Sequence, residues 1–286
     1  MIRLLSIAFL TFLIAFSSIA QKVNGYEIYN SKGKKVTYEK MIKFLENREF
    51  VFFGEYHDNP ISHWLQIEVL EDLYEVHGSN LVMAFEMFEQ DQQELLDAYL
   101  NEKIESKVFQ DSCRLWPNYQ TDYKPLLDFA RMNDLKSVAS NIPRRYASLL
   151  FKKGREALDA LSEEEKSWVV PLDFVVDTTL SQYAKLQEMA MHGSGNFTEA
   201  QAIKDATMAH FSLENMNEES VLYHMNGAYH SDYYQGIIWY IKQKRPDANI
   251  GSITTVAQED VNTLKEDNKG RADFIICVNE NMTSTH

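Results

Sequence analysis

Cysteine is scarce, with only Cys113 and Cys277 in 286 residues. That excludes a scaffold stapled by several disulfides, and the wide separation of the two fits no metal-ligand spacing. One optional disulfide or two buried thiols accommodate the pair, the second being the simpler reading. Basic charge is short as well: 28 Lys and Arg stand against 42 Asp and Glu, a formal net charge of −14. Nucleic acid is thereby excluded as a partner, since its phosphates would repel the chain. A basic face for docking on a membrane surface is missing for the same reason. Internal repeats and low-complexity linkers are also lacking. The length therefore reads as one domain over residues 21–286, behind a different kind of N-terminus.

That N-terminus, "MIRLLSIAFLTFLIAFSSIA", carries one positive charge, Arg3, then a long apolar run, then Ser18-Ile19-Ala20. The pattern predicts a signal peptide over residues 1–20, cleaved before Gln21, and an exported protein of the periplasm or cell surface. An uncleaved membrane anchor is the competing reading, and the short run with its small, polar exit favours cleavage. No cysteine follows the run, so a lipid-attached form has no attachment point.

Hydrophobic residues make up 45% of the chain, enough for a sizeable core. Short apolar runs punctuate it: Phe50 to Phe53, Leu81 to Phe85, Ser137 to Ala139, Val221 to Met225, Ile250 to Val256 and Phe274 to Val278. Their length and β-branched or aromatic content predict strands. Helical spacing fills the intervals, as in Ile61 to Val76, Gln90 to Leu100, Tyr123 to Asn133 and Thr198 to Asn215, and Ser162 to Glu165 reads as a capping box. Alternating strands and helices predict an α/β fold with a mainly parallel central sheet flanked by helices. Between about residues 144 and 216 there is at most a doubtful strand at Phe174 to Val176. That stretch reads as a helical insertion capping the carboxyl edge of the strands.

In open α/β sheets ligands bind beyond the carboxyl ends of the strands. The first run continues into Glu55 and His57, the second into Glu86, the third into Asn141, Arg144 and Arg145, and the fourth into Gly227, His230 and Asp232. Parallel strands would gather these groups on one rim. Buried carboxylates need partners. A divalent metal ion held by Glu55, His57, Glu86 and His230 is one arrangement. Two close carboxylates with split pKa values, one a general acid and the other a base, are the second. For any single residue a helix cap or a hydrogen-bonded structural histidine is the commoner role, and only the convergence of four strand ends outweighs it. His63, His77, His192, His210 and His224 lack that convergence and read as structural or surface residues.

The insertion is rich in methionine and aromatics, among them Tyr183, Met189, Met208 and Phe211. Such residues are most often core, and the alternative is an adaptable pocket for a flat apolar ligand. Tyrosine nearby makes ferric haem one such ligand, because phenolate is an axial ligand of haem iron.

Five motifs, "GEYHD", "FEMFEQDQQ", "ASNIPRR", "AQAIKDATMA" and "NGAYHSDY", run in this order from about Gly54 to Asp232. Together they resemble the ChaN family of haem-binding uptake proteins, part of a superfamily with the Tiki proteases, TraB proteins and erythromycin esterases. The resemblance implies an α/β core with an added helical part and a role in haem or iron uptake. It also implies haem held by a tyrosine and stacked at a homodimer interface, with outer-membrane uptake components as further partners. Tyr183 and Tyr229 are the candidate haem ligands, with Met189 and Met208 lining the site and Asn141, Arg144 and Asp232 around it. Glu55, His57, Glu86 and His230 match the superfamily's two Glu–His pairs, which serve metal-dependent or general-base hydrolysis in its protease and esterase branches. Fold and activity are loosely tied, so haem binding and hydrolysis both stand as expectations.

Overall fold

The structure, a computed structural model, describes residues 24–190 and 196–285, the side chains of Met189 and Ala190 excepted. The segment read as a signal peptide and the side chain of Met189 therefore lie outside the described residues. Seven strands form one sheet: β1 (Tyr26–Asn30), β2 (Phe50–Glu55), β3 (Leu81–Glu89), β4 (Ser137–Asn141), β5 (Val221–Gly227), β6 (Ile250–Gln258) and β7 (Phe274–Asn279), in the order β1-β7-β6-β2-β5-β3-β4. All neighbours run parallel except β1, which pairs antiparallel with β7. Each of the six predicted runs lies within one of these strands. β1 escaped notice because "YEIYN" is a half-polar edge strand, without the continuous apolar run of strands covered on both faces.

The helices are α1 (Tyr38–Leu45), α2 (Pro60–His77), α3 (Gln93–Leu100), α4 (Ser106–Ser112), α5 (Lys124–Met132), α6 (Arg144–Lys153), α7 (Glu163–Lys166), α8 (Ser181–Ala190), α9 (Phe197–Glu214) and α10 (Ile237–Lys244). They divide between the two faces. Val51, Phe53, Met83, Phe85, Tyr223 and Met225 point into a core shared with α1 to α5. The alternate residues Phe50, Phe52, Val82, Ala84 and Leu222 point into a second core shared with α6, α9 and α10. Right-handed crossovers require this division. The chain moves from β2 to β3 to β4 in one direction across the sheet, then returns through β5 to β6, and the returning helices must lie on the opposite face.

The same rule places the insertion. It contains no strand among the described residues, and Phe174 to Val176 is irregular. It supplies most of one flanking layer, and α8 and α9 also reach the carboxyl edge, where Gln182 meets Tyr229 and Asp205 meets His230. Met208 is fully buried there beside Ile203 and Ala206, so it is a core residue and not the lining of an open haem pocket. Both cysteines are buried free thiols. Among the described residues no helix is long and apolar enough to cross a membrane.

Candidate functional site

β2 and β5 lie side by side at the centre of the sheet, with Glu55 opposite Gly227. The chain leaves β2 through α2 on one face and leaves β5 towards α10 on the other. Neighbouring strands whose connections part in this way open a crevice at their carboxyl ends. The predicted Glu–His groups meet there.

Glu55 ends β2 fully buried, and donors surround it. Tyr123 donates its hydroxyl proton to Oε1 at 2.6 Å and Gln66 its amide proton to Oε2 at 2.5 Å. His57 Nδ1 lies 2.8 Å from Oε1. With that proton directed at the carboxylate, a neutral His57 presents Nε2 as an acceptor. Burial works against its charged form, but the hydrogen bond to Glu55 and the charge of Glu86 outweigh it and raise the imidazole above its ordinary value. The His57 side chain remains 43% exposed. Trp116 packs edge-on against it, with ring centroids 5.0 Å apart.

Glu86 lies within β3 where the pairing with β4 shifts register between Phe85 and Glu89, an irregularity of the kind that re-aims side chains. Its Oε2 accepts the Gly227 backbone N–H at 2.6 Å, and its Oε1 lies 3.1 Å from His230 Nε2. His230 Nδ1 meets Asp205 of α9, whose other oxygen accepts the Tyr183 hydroxyl at 2.7 Å. Burial disfavours a charged His230, yet the two flanking carboxylates prevail and push its pKa up to about 10. Burial alone would raise Glu86, and the His230 charge instead holds it well below the usual carboxylate range. Asp205 remains raised, because burial outweighs the pull of His230. Gly236 ends the turn after His230 at φ 55, where a Cβ would stand 2.2 Å from the His230 carbonyl oxygen, so only glycine fits.

The two clusters face one another across Gly227. A Cβ there would lie 2.5 Å from His57 Nε2 and 3.5 Å from Glu86 Oε2. The predicted quartet is thus assembled, but as ion pairs and not as a metal cage. Both Glu55 oxygens, both Glu86 oxygens and both His230 nitrogens already have protein partners. Among the described residues, no three His, Cys, Asp or Glu side chains are arranged to hold a metal ion.

Of the other predicted residues, Tyr183 is only 1% exposed and bonded to Asp205, which removes it as an open haem ligand and makes it a support of the His230 cluster. Tyr229 stands on the rim, its hydroxyl donating to the Gln182 carbonyl at 2.6 Å, and burial pushes its pKa up to about 12. Asn141 donates to the Glu86 carbonyl at 2.9 Å. Asp232 does not join the site: it accepts from Thr254 at 2.6 Å and Arg271 at 3.0 Å. It thereby anchors the turn in which Tyr233 and Tyr234 adopt φ of 60 and 58. Arg144 is exposed at the start of α6.

Sequence reasoning missed Asp205, Gln66, Tyr123 and the exposed Tyr56. The signal for Asp205 was present, a carboxylate on the Ala202–Ala206–Ala209 stripe of a buried helix. His63, read as structural or surface, is buried behind Glu55, with Nε2 2.9 Å from the His57 carbonyl and Nδ1 3.0 Å from Gln66.

Comparisons with known proteins bear on this site. Residues 41–241 match the family described as haem-binding uptake, Tiki superfamily, ChaN. The fold resembles the solved structure of ChaN of Campylobacter jejuni with cofacial haem, at TM-score 0.65 and 18% identity over 88% of this chain and 96% of that one. It resembles a mutant erythromycin esterase in its open conformation at TM-score 0.50 and 10% identity, over 88% and 97%. At these identities the likeness is one of fold. Among curated proteins, RETICULATA-RELATED 5, a chloroplastic protein of Arabidopsis thaliana, is 26% identical over 231 residues, 74% of this chain. The matched part spans only 30% of that relative's length.

Proposed function

The chain belongs to the haem-binding uptake family of the Tiki superfamily that includes ChaN, and on that premise we propose that it is an exported haem-binding protein that holds ferric haem on the carboxyl rim of its sheet. The placement of two phenols carries this reading. Tyr56 follows Glu55 and Tyr229 lies two residues beyond Gly227, so both stand just past paired strand ends. They are 48% and 37% exposed. Bound ferric haem would supply an iron that phenolate oxygen ligates. Tyr56 is the better placed of the two, since its hydroxyl has no hydrogen-bond partner among the described residues, whereas that of Tyr229 must leave the Gln182 carbonyl. His57, next to Tyr56 in the chain and packed against Trp116, adds an imidazole and an aromatic wall. Cofacial haem in the Campylobacter protein makes a second copy of this chain the partner to test, and outer-membrane uptake components the next.

Titration of the full chain with hemin, followed in the visible spectrum, tests the reading. A saturable phenolate-type spectrum is expected, weakened in Tyr56→Phe and lost in the Tyr56→Phe, Tyr229→Phe double variant. A featureless titration, or an unchanged spectrum in the double variant, rejects it.

A specific observation favours hydrolysis as a second reading. Glu55 orients His57 so that Nε2 faces the crevice, which is the arrangement of a general base that activates water. The charged His230 nearby would stabilise developing negative charge. Because the donor set is already engaged in ion pairs, this version proceeds through side chains, without a metal bound by the quartet. Hydrolysis of activated esters that disappears in His57→Ala, with hemin binding retained, would separate the two readings.

A further inference from the structure

A second crevice opens between β3 and β4. The chain leaves β3 on one face through α3 to α5 and leaves β4 on the other through α6. A cavity of about 580 Å³ lies there, walled by Glu89, Arg114, Trp116, Arg144 and Arg145. Asp91 pairs with both Arg114 and Arg145. Glu89 accepts from Arg114 at 3.0 Å. The Arg145 guanidinium also lies over the Tyr146 ring at 4.4 Å. Two guanidinium forks are thus held in place, while Arg144 has no ion-pair or hydrogen-bond partner among the described residues. Three arginines against Glu89 and Asp91 leave this corner positive on a chain whose formal net charge is −14. The backbone adds the same sign. The first turn of α6 carries Arg144 and Arg145 and no acid, and Pro143 gives it no side-chain cap. A helix ordinarily places negative groups at that end. Trp116 forms a wall of the cavity and also packs against His57, so the two crevices share a boundary.

We infer that the arginine-lined cavity is an anion-binding subsite, receiving a carboxylate or phosphate group of the molecule held at the Glu55–His57 rim. Planar guanidinium forks fit both oxyanions. On an acidic protein a local positive cavity is also what allows an anionic ligand to approach. The subsite stands whichever chemistry the rim performs, so its test uses neither haem nor an ester.

The full chain is titrated with inorganic phosphate and, separately, with acetate, each against chloride of equal ionic strength. Binding is read from the Trp116 indole N–H resonance, assigned by Trp116→Phe. A saturable shift with either probe is expected, and whichever probe binds identifies the oxyanion. Arg144→Ala should weaken binding about tenfold, as loss of one charge-assisted hydrogen bond would. Arg144→Lys should keep part of it and Arg144→Glu abolish it. The exposed position of Arg144 leaves folding intact, which the dispersion of the remaining indole resonances verifies. No saturable shift with either anion, a shift reproduced by chloride, or one unchanged in Arg144→Ala overturns the assignment. Hemin titration of the same variants then shows separately whether the haem reading survives.

Discussion

The two histidine–carboxylate clusters on the rim look alike in sequence and differ in physics. His57 has one carboxylate partner and a side chain 43% exposed. His230 is buried between two carboxylates, its side chain 8% exposed. The first is a half-exposed imidazole that opens onto the crevice. The second is a charge built into the protein, held by Glu86 and Asp205 and in turn holding them. Proximity of Glu to His therefore does not make a residue reactive; the count of opposing charges and access to water do.

The hardest way to break the comparison is to remove His230. His230→Ala leaves Glu86 and Asp205 buried without a cation, and we expect a loss of about 3–5 kcal/mol in urea unfolding. His57→Ala should cost no more than about 1 kcal/mol, because Glu55 keeps Tyr123 and Gln66 and the lost partner is half exposed. Equal losses in the two variants would erase the distinction.

A pH series sharpens it. The folded-state pKa of His230 is raised, so the stability it contributes is complete below the ordinary imidazole value of 6.5. It is lost as the pH rises toward about 10. The urea midpoint of the native protein should fall across that window, and His230→Gln should flatten the slope. Glu86, whose pKa is lowered, contributes in the opposite sense, its share disappearing as the pH falls below 4.5. A slope unchanged in His230→Gln would show that other groups cause it.

Gly227→Ala acts at the point where the clusters meet. The new methyl would overlap the His57 ring, whose half-exposed end can swing away. We expect a stability change of about 1–2 kcal/mol with a displaced His57 imidazole resonance and an undisturbed His230 resonance. Tyr123→Phe acts on the His57 pair through Glu55, and its expected effect is smaller than that of Gly227→Ala. With one hydroxyl donor gone, the Glu55 carboxylate is shared among fewer partners and bonds His57 more strongly, so the His57 pKa, read by NMR, should rise slightly at a cost of about 1 kcal/mol.

Much of this was legible before any coordinates. Strands buried on both faces have continuous apolar runs, so "FVFF", "LVMAF" and "VLYHM" identified themselves, and the polar residues that end them pointed to one rim. β1 stayed hidden because an edge strand buries too little to need such a run. The metal expectation rested on residue types alone. Whether Glu55 and Glu86 keep free lone pairs depends on Tyr123, Gln66 and the Gly227 N–H, which reach them from distant parts of the chain. Tyr183 and Met208 misled for a related reason: composition marks an apolar lining without saying whether it faces a cavity or a neighbouring helix.

By itself the sequence determined the alternation of strands and helices, the parallel sheet and the identity of the four Glu and His groups at its mouth, because local periodicity and the sharp boundaries of apolar runs encode them. Only the tertiary structure decided which histidine is enclosed between two carboxylates, which tyrosine is open and which arginine lacks a partner. Those properties are sums over neighbours from separate segments, and a linear pattern does not record which segments fold side by side.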